Sequence, residues 1–209
     1  MDYLQELIER YPKLSSLEDT IKRAYSILKD SYESKGKLLI AGNGGSSADA
    51  AHISGELMKS FVKKRSLPAD FISKLNALDP DHAGYLGKTI QQGLPVITLH
   101  AQTALLTACI NDMDGDIIYA QQVYGYGSEG DVLLGISTSG NAKNIYHAMV
   151  MAKAKNLKTI ALSGASGGII AKHADVSIIV PEKETYKIQE LHLPIYHCLC
   201  LMLEEYFFP

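Results

Sequence analysis

Leu38-Leu39-Ile40-Ala41-Gly42-Asn43-Gly44-Gly45-Ser46-Ser47 decides how this chain folds. A second run of the same design supports it: Val132-Leu133-Leu134-Gly135-Ile136-Ser137-Thr138-Ser139-Gly140-Asn141. Each is a short apolar stretch that ends in small and hydroxyl-bearing residues and then enters helix-forming sequence. A short apolar run without polar alternation reads as a strand buried on both faces, as in a parallel sheet. A strand that opens a helix through glycines also makes an anion site. The backbone approaches closely, its N–H groups point at the ligand, and the helix N-terminus adds partial positive charge. Two such loops in one domain point to a ligand with both phosphate and hydroxyl groups, a sugar phosphate ahead of a nucleotide.

Working outward, strands are expected at 37–41, 95–100, 131–136, 158–163 and 176–180. Helical stretches fall between them at 46–60, 103–112, 115–126, 141–155 and 166–173. Alternating β and α segments give an α/β fold with a doubly wound parallel sheet. Ligands bind such sheets at the carboxyl ends of the strands, where both loops fall. Helices at 2–10 and 16–34 come first. In the second, Leu17, Ile21, Ala24, Tyr25 and Leu28 keep helical spacing, and Ser15 or Ser16 is the expected cap. The last helix, 187–206, is apolar enough to pack between subunits or across the sheet. Gly164-Ala165-Ser166-Gly167-Gly168 reads as a tight connection.

Residues 61–94 fit the compact plan less well. Phe61-Val62-Lys63-Lys64-Arg65 opens them, and Pro68, Pro80, Gly84, Gly87, Gly93 and Pro95 punctuate them. An irregular or weakly helical excursion is expected, with the basic triplet on a solvated face.

The chain has 209 residues and 46% hydrophobic content, enough for one domain with a full core. A net charge of −3 and the absence of a basic stripe argue against nucleic acid as a partner. No apolar run reaches the roughly 20 residues needed to span a membrane. The N-terminus lacks the basic and apolar regions of a signal peptide. The three cysteines, Cys109, Cys198 and Cys200, form no paired framework. A reduced, cytoplasmic protein is expected.

His52 and Glu56 lie four apart on the helix after the first loop. Four residues turn about 40° past a full circle, so both share one face. On the last helix Glu190 precedes His197 by seven residues, nearly in register, and Gln189 precedes it by eight, about 80° away. Two His, a Glu and a Gln or second Glu can supply a metal site or an acid–base pair. The plainer alternatives are an ordinary helix-surface contact and a satisfied core histidine. Asp49, about one turn before His52, suits a helix start. His82, His100, His147 and His173 have no expected role.

Ala41 to Ala50, Asn111-Asp112, Glu129 to Asn141 and Ile188-Gln189-Glu190-Leu191-His192 resemble the sugar isomerase (SIS) domain, and within it the phosphoheptose isomerase family. The resemblance covers most of the chain outside 61–94. It implies a single SIS domain over 1–209, with an N-terminal helical segment at 1–34 and an insertion at 61–94. It also implies a flavodoxin-like five-stranded sheet, a homotetramer with sites between subunits, often a bound zinc, and a place in carbohydrate metabolism. The implied reaction converts sedoheptulose 7-phosphate to a heptose 7-phosphate. Carried over by residue, phosphate binding falls to Ser137, Thr138 and Ser139, with Asn43, Gly44 and Ser46 from the first loop and Asp112 near the sugar. His52, Glu56, Gln189 and His197 become the zinc and acid–base set, with Glu56 as the base and His197 opposite it.

The chain departs from the family pattern in places. Ser60 stands where an arginine is usual, Ala142 replaces a serine, and Tyr186 an acidic residue. Pro194 sits inside the last helix, and the 61–94 segment is longer than the family form. The catalytic set survives while parts of the substrate shell change, so isomerase chemistry is supported and the identity of the sugar stays open. Two other classes use related domains: a non-catalytic factor that binds a replication initiator, and a sugar-phosphate-sensing module. The first lacks the full His/Glu/Gln/His set, and no DNA-binding segment supports the second.

Overall fold

The computed structural model describes residues 2–209. Its strands are β1 (Leu38–Gly42), β2 (Val96–Thr98), β3 (Val132–Ser137), β4 (Lys158–Ser163) and β5 (Val176–Ile179). All pair in parallel, in the order β2-β1-β3-β4-β5. Every residue of β1 and β3 is buried, as the unbroken apolar runs require. The two faces follow the strand period of two. Leu38, Ile40, Val132, Leu134 and Ile136 point into one core layer. Leu39, Ala41 and Leu133 point into the other.

The first layer is covered by α1 (Tyr3–Arg10), α2 (Glu18–Glu33), α3 (Gly45–Met58) and α10 (Thr185–Phe207). The second lies under α7 (Ile118–Tyr126), α8 (Lys143–Ala154) and α9 (Gly168–His173). The short helix α6 (Thr103–Asp112) follows β2. Within one chain α10 therefore covers a sheet face. Ten of its residues are buried, Pro194 among them.

Several local expectations change. Neither Ser15 nor Ser16 caps α2. Pro12–Leu17 winds into a 3-10 turn that buries Leu14, and α2 starts without a side-chain cap. The capped helix is α1, where Asp2 accepts from the N–H groups of Leu4 and Gln5 at 3.1 and 3.0 Å. Residues 61–94 are more ordered than their punctuation implies. They hold α4 (Ala69–Leu78) and α5 (Pro80–Thr89). Asp79 caps α5 and Pro80 occupies its first turn, so proline here starts a helix rather than breaking one.

The Gly164–Gly168 segment is the expected tight connection. It packs on the second loop: Gly164 N–H donates to Thr138 O at 3.1 Å, and Ile170 N–H to Gly140 O at 3.0 Å. Gly140, at φ +68°, leaves no room for a Cβ, which would strike the Gly167 carbonyl.

Candidate active site

The chain leaves β1 toward β2 on one side and reaches β3 on the other, so the sheet order reverses between β1 and β3. Open α/β sheets bind ligands at such a point. The register sets Gly42 beside Ile136, which places both small-residue loops at that crevice. The loops are joined across it. Asn43 and Asn144 exchange amide hydrogen bonds at 2.9 and 3.0 Å. Tyr119 donates to Gly42 O at 2.7 Å. Asn144 and Tyr119 were not singled out from the sequence, because nothing local marks them.

Neither α3 nor α8 is closed by a side-chain cap, which leaves both N-termini to a ligand. Ser137 Oγ accepts from Gly140 N–H, and Ser139 Oγ from Asn141 N–H, each at 3.2 Å. Their hydroxyl hydrogens stay available to an anion. Gly44 turns the first loop at φ +54°, a left-handed conformation that glycine adopts without strain.

The second half of the site is the seam between α3 and α10. Gln189 begins it, with its amide resting where a Cβ on Gly45 would stand. Farther along, His52 Nε2 lies 3.2 Å from Glu56 Oε1. Lys59 Nζ lies 3.2 Å from the other carboxylate oxygen. The His197 ring meets the His52 ring edge to face, with centroids 4.9 Å apart. The helical spacing of His52 and Glu56 thus produces the expected shared face, and α10 brings His197 to it.

Two residues complete the cluster. The Tyr196 hydroxyl lies 3.0 Å from His52 Nδ1. It donates to Asp49 Oδ1 at 3.4 Å. Asp49 therefore does more than open a helix. Burial raises the pKa of its carboxyl, against the hydrogen bond from Tyr196 and the charge of His52. His197 moves the other way. Burial and the neighbouring His52 lower its pKa, with Glu56 opposing. His197 also lines a small cleft of about 90 Å³ between α1 and α10, together with Tyr3, Arg10 and Tyr11.

Arg65 overturns the expectation of a solvated basic triplet. It is 1% exposed. Its guanidinium donates to Leu57 O at 2.7 Å, Glu56 O at 2.9 Å and Glu204 Oε1 at 2.9 Å. Glu204 also accepts the N–H groups of Phe61 and Val62 at 2.8 and 2.9 Å. Phe61 in turn stands 5.3 Å from the His197 ring, centroid to centroid. The excursion is thereby tied to the last carbonyls of α3, beside Glu56. Charge alone read Lys63-Lys64-Arg65 as solvent-facing. The buried carboxylate that reverses this for Arg65 lies 139 residues away.

Among the described residues, no three His, Cys, Asp or Glu side chains close around one ion position. The donors at the seam still suit zinc chemically: one carboxylate, the His52 imidazole, and a buried His197 Nε2 without a partner. Gln189 is not brought to them, since eight residues of helix set it about 12 Å along α10 from His197. Asp112 is likewise apart. It is exposed at the end of α6, where its carboxylate accepts from Asn111 at 2.7 Å. Glu190 is exposed, so Gln189 is the member of that pair turned to α3. His192 is fully buried and outside the cluster.

A doubly wound sheet with two hydroxyl-bearing loops at its switch point defines an SIS-domain protein, and a family model described as "SIS domain" matches residues 81–164. Phosphoheptose isomerase of Helicobacter pylori strain P12 is 36% identical, over 93% of this chain and 88% of that protein. Solved phosphoheptose isomerases superpose closely. The one from Francisella tularensis has a TM-score of 0.77 at 30% identity, covering 97% of this chain and 95% of that one. The one from Neisseria gonorrhoeae has a TM-score of 0.75 at 31% identity, covering 96% and 94%. The chain belongs to the phosphoheptose isomerase family.

Proposed function

We propose that this chain is an aldose–ketose isomerase of sugar phosphates, with sedoheptulose 7-phosphate as substrate and a heptose 7-phosphate as product. The observation that carries this reading is the Glu56 carboxylate, held between His52 and Lys59 on the helix that starts at the first loop. From Gly45 to Glu56 that helix rises about 16 Å. Glu56 therefore sits about three turns beyond the loop, on the side of the site away from a phosphate bound there.

In this reading Ser137, Thr138 and Ser139 hold the phosphate, joined by Asn43, Gly44 and Ser46. Glu56 takes the proton from the carbon next to the carbonyl and returns it to the neighbouring carbon. His197, whose pKa burial lowers, moves the proton between the two oxygens. The developing charge needs stabilising. Held by His52, Glu56 and His197, a zinc ion would supply Lewis-acid stabilisation of that charge. Gln189 joins these ligands only if the seam rearranges or a second chain supplies it.

A homotetramer is part of the proposal. Phe71, Leu78, Tyr85, Ile110 and Met113 are exposed, more apolar side chain than a free surface needs. A cytoplasmic site is also proposed, in keeping with three buried free cysteines. No helix among the described residues is long and apolar enough to cross a membrane.

The test is C1/C2 proton exchange over a panel of ketose phosphates, with and without chelator, on wild type and Glu56→Gln. Sedoheptulose 7-phosphate is expected to be the best substrate. Glu56→Gln should cut turnover by about 10²–10⁴ while binding persists. Near-wild-type exchange in that variant removes the mechanism. No exchange by wild type on any ketose phosphate leaves a binding factor as the better reading.

A further inference from the structure

We propose that Tyr196 is a positioning residue for His52, acting with Asp49 through a row of hydrogen bonds that crosses the α3–α10 seam. This deepens the isomerase reading and rests on its assignment of His52 and Glu56 to the reaction.

Tyr196 is 2% exposed, and a buried phenol needs partners for its hydroxyl. It has two, Asp49 Oδ1 at 3.4 Å and His52 Nδ1 at 3.0 Å. A phenol carries one hydrogen. Asp49 is where that hydrogen belongs, because its second oxygen is buried with no donor at all. The phenol oxygen is then left to accept, so the bond from His52 must bring its own hydrogen. This puts a hydrogen on Nδ1, while Nε2 faces the Glu56 carboxylate at 3.2 Å, a contact that needs a second ring hydrogen or a cation between the two groups, since a bare lone pair repels a carboxylate.

The same residue also fixes the plane of the ring. Tyr196 packs on His52 edge to face at 5.5 Å and 75°, and His197 does so at 4.9 Å and 87°. The His52 side chain is 40% exposed, so without these contacts the ring has room to turn. An imidazole serves as base or ligand only when the lone pair points at its target. A hydrogen bond to the far ring nitrogen is the common device for that.

Tyr196→Phe keeps the ring and removes only the hydroxyl. In the full-length protein, three quantities are read: zinc affinity by competition with a chromogenic chelator, kcat and KM for C1/C2 exchange, and ring-nitrogen spectra of 15N-histidine-labelled, metal-free protein. We expect zinc affinity to fall about 10–100-fold, kcat to fall with KM nearly unchanged, and the His52 Nδ1 signal to lose the shift of its hydrogen bond to the phenol. Asp49→Asn keeps an acceptor oxygen and should give a smaller loss of the same kind. If Tyr196→Phe lowers the melting temperature sharply, Asp49→Asn carries the test through the same readouts. Wild-type zinc affinity, kcat and ring-nitrogen spectrum in the folded variant overturn the proposal. His52→Ala separates it from the reading beneath it. If that variant loses zinc affinity and exchange while Tyr196→Phe and Asp49→Asn lose neither, only the positioning role is wrong. If His52→Ala loses neither, the isomerase site itself is misassigned.

Discussion

The α3–α10 seam and the α4–α5 hairpin differ in how they are held. At the seam, Asp49, Tyr196, His52 and Glu56 form a connected row, and Arg65 with Glu204 closes its lower end with backbone groups as extra partners. In the hairpin, α4 buries no residue and α5 buries only Ala83. Both regions are helical and both follow polar or punctuated sequence. The difference is burial. Polar groups taken out of water need partners, and most of those at the seam have them, Asp49 Oδ2 and His197 Nε2 excepted, so its geometry is constrained, whereas an exposed hairpin needs only its local capping signals.

The largest expected effect breaks the seam at its base. Glu204→Ala leaves the Arg65 guanidinium buried without its carboxylate, and removing one partner of a buried pair costs about 3–5 kcal/mol. Urea unfolding measures this. The paired replacement Arg65→Met with Glu204→Leu should recover only part of the loss: it removes the unpaired charge but leaves the Phe61 and Val62 N–H groups without their acceptor. A Glu204→Ala variant as stable as wild type would show that the seam is no more constrained than the hairpin.

Next is pH. His192 lies on α10 facing away from the seam, and burial pushes its pKa down to about 4, with a Ser163 backbone group opposing. The unfolded chain takes up this proton near pH 6.5 and the folded chain only near 4, so stability falls as pH drops through that window. The shift corresponds to about 3 kcal/mol. His192→Leu should flatten the profile between pH 4 and 6.5, as read from melting temperature against pH. An unchanged profile would assign the acid sensitivity to other groups.

Ser137→Ala and Ser139→Ala sharpen the comparison at the other end of the site. Each removes a hydroxyl donor to a charged phosphate, worth roughly 1.5–3 kcal/mol. Calorimetry with the sugar phosphate tests this, and unchanged affinity would move the phosphate elsewhere. The smallest effect concerns the hairpin itself. Amides of Ala69–Thr89 should exchange with solvent well before those of α3 and α10, because few buried contacts resist local opening. Equal protection, measured by mass spectrometry, would mean that the hairpin is covered in solution.

The sheet and its loops were legible because their signals are local. Short unbroken apolar runs such as Leu38–Ala41, bounded by glycines, read as strands buried on both faces, and Gly44 and Gly140 mark the turns that follow. His52 and Glu56 were legible for the same reason, since a helix fixes residues four apart on one face. The 61–94 helices were obscured by prolines and glycines that cap and space them. Ser15 and Ser16 are not caps because both lie inside the 3-10 turn Pro12–Leu17, which places Leu17 at the start of α2.

Sequence by itself thus determined the strand–loop–helix units, the order in which they occur and one helix face of the site, all set by short-range periodicity and turn chemistry. Only the tertiary structure decided which side chains meet across the seam. Tyr196 joins Asp49 from 147 residues away, Arg65 finds Glu204, and Gln189 stops at Gly45 instead of reaching His197. Those pairings depend on how α10 lies along α3. That placement is fixed by the whole core beneath both helices, which no local stretch of the chain encodes.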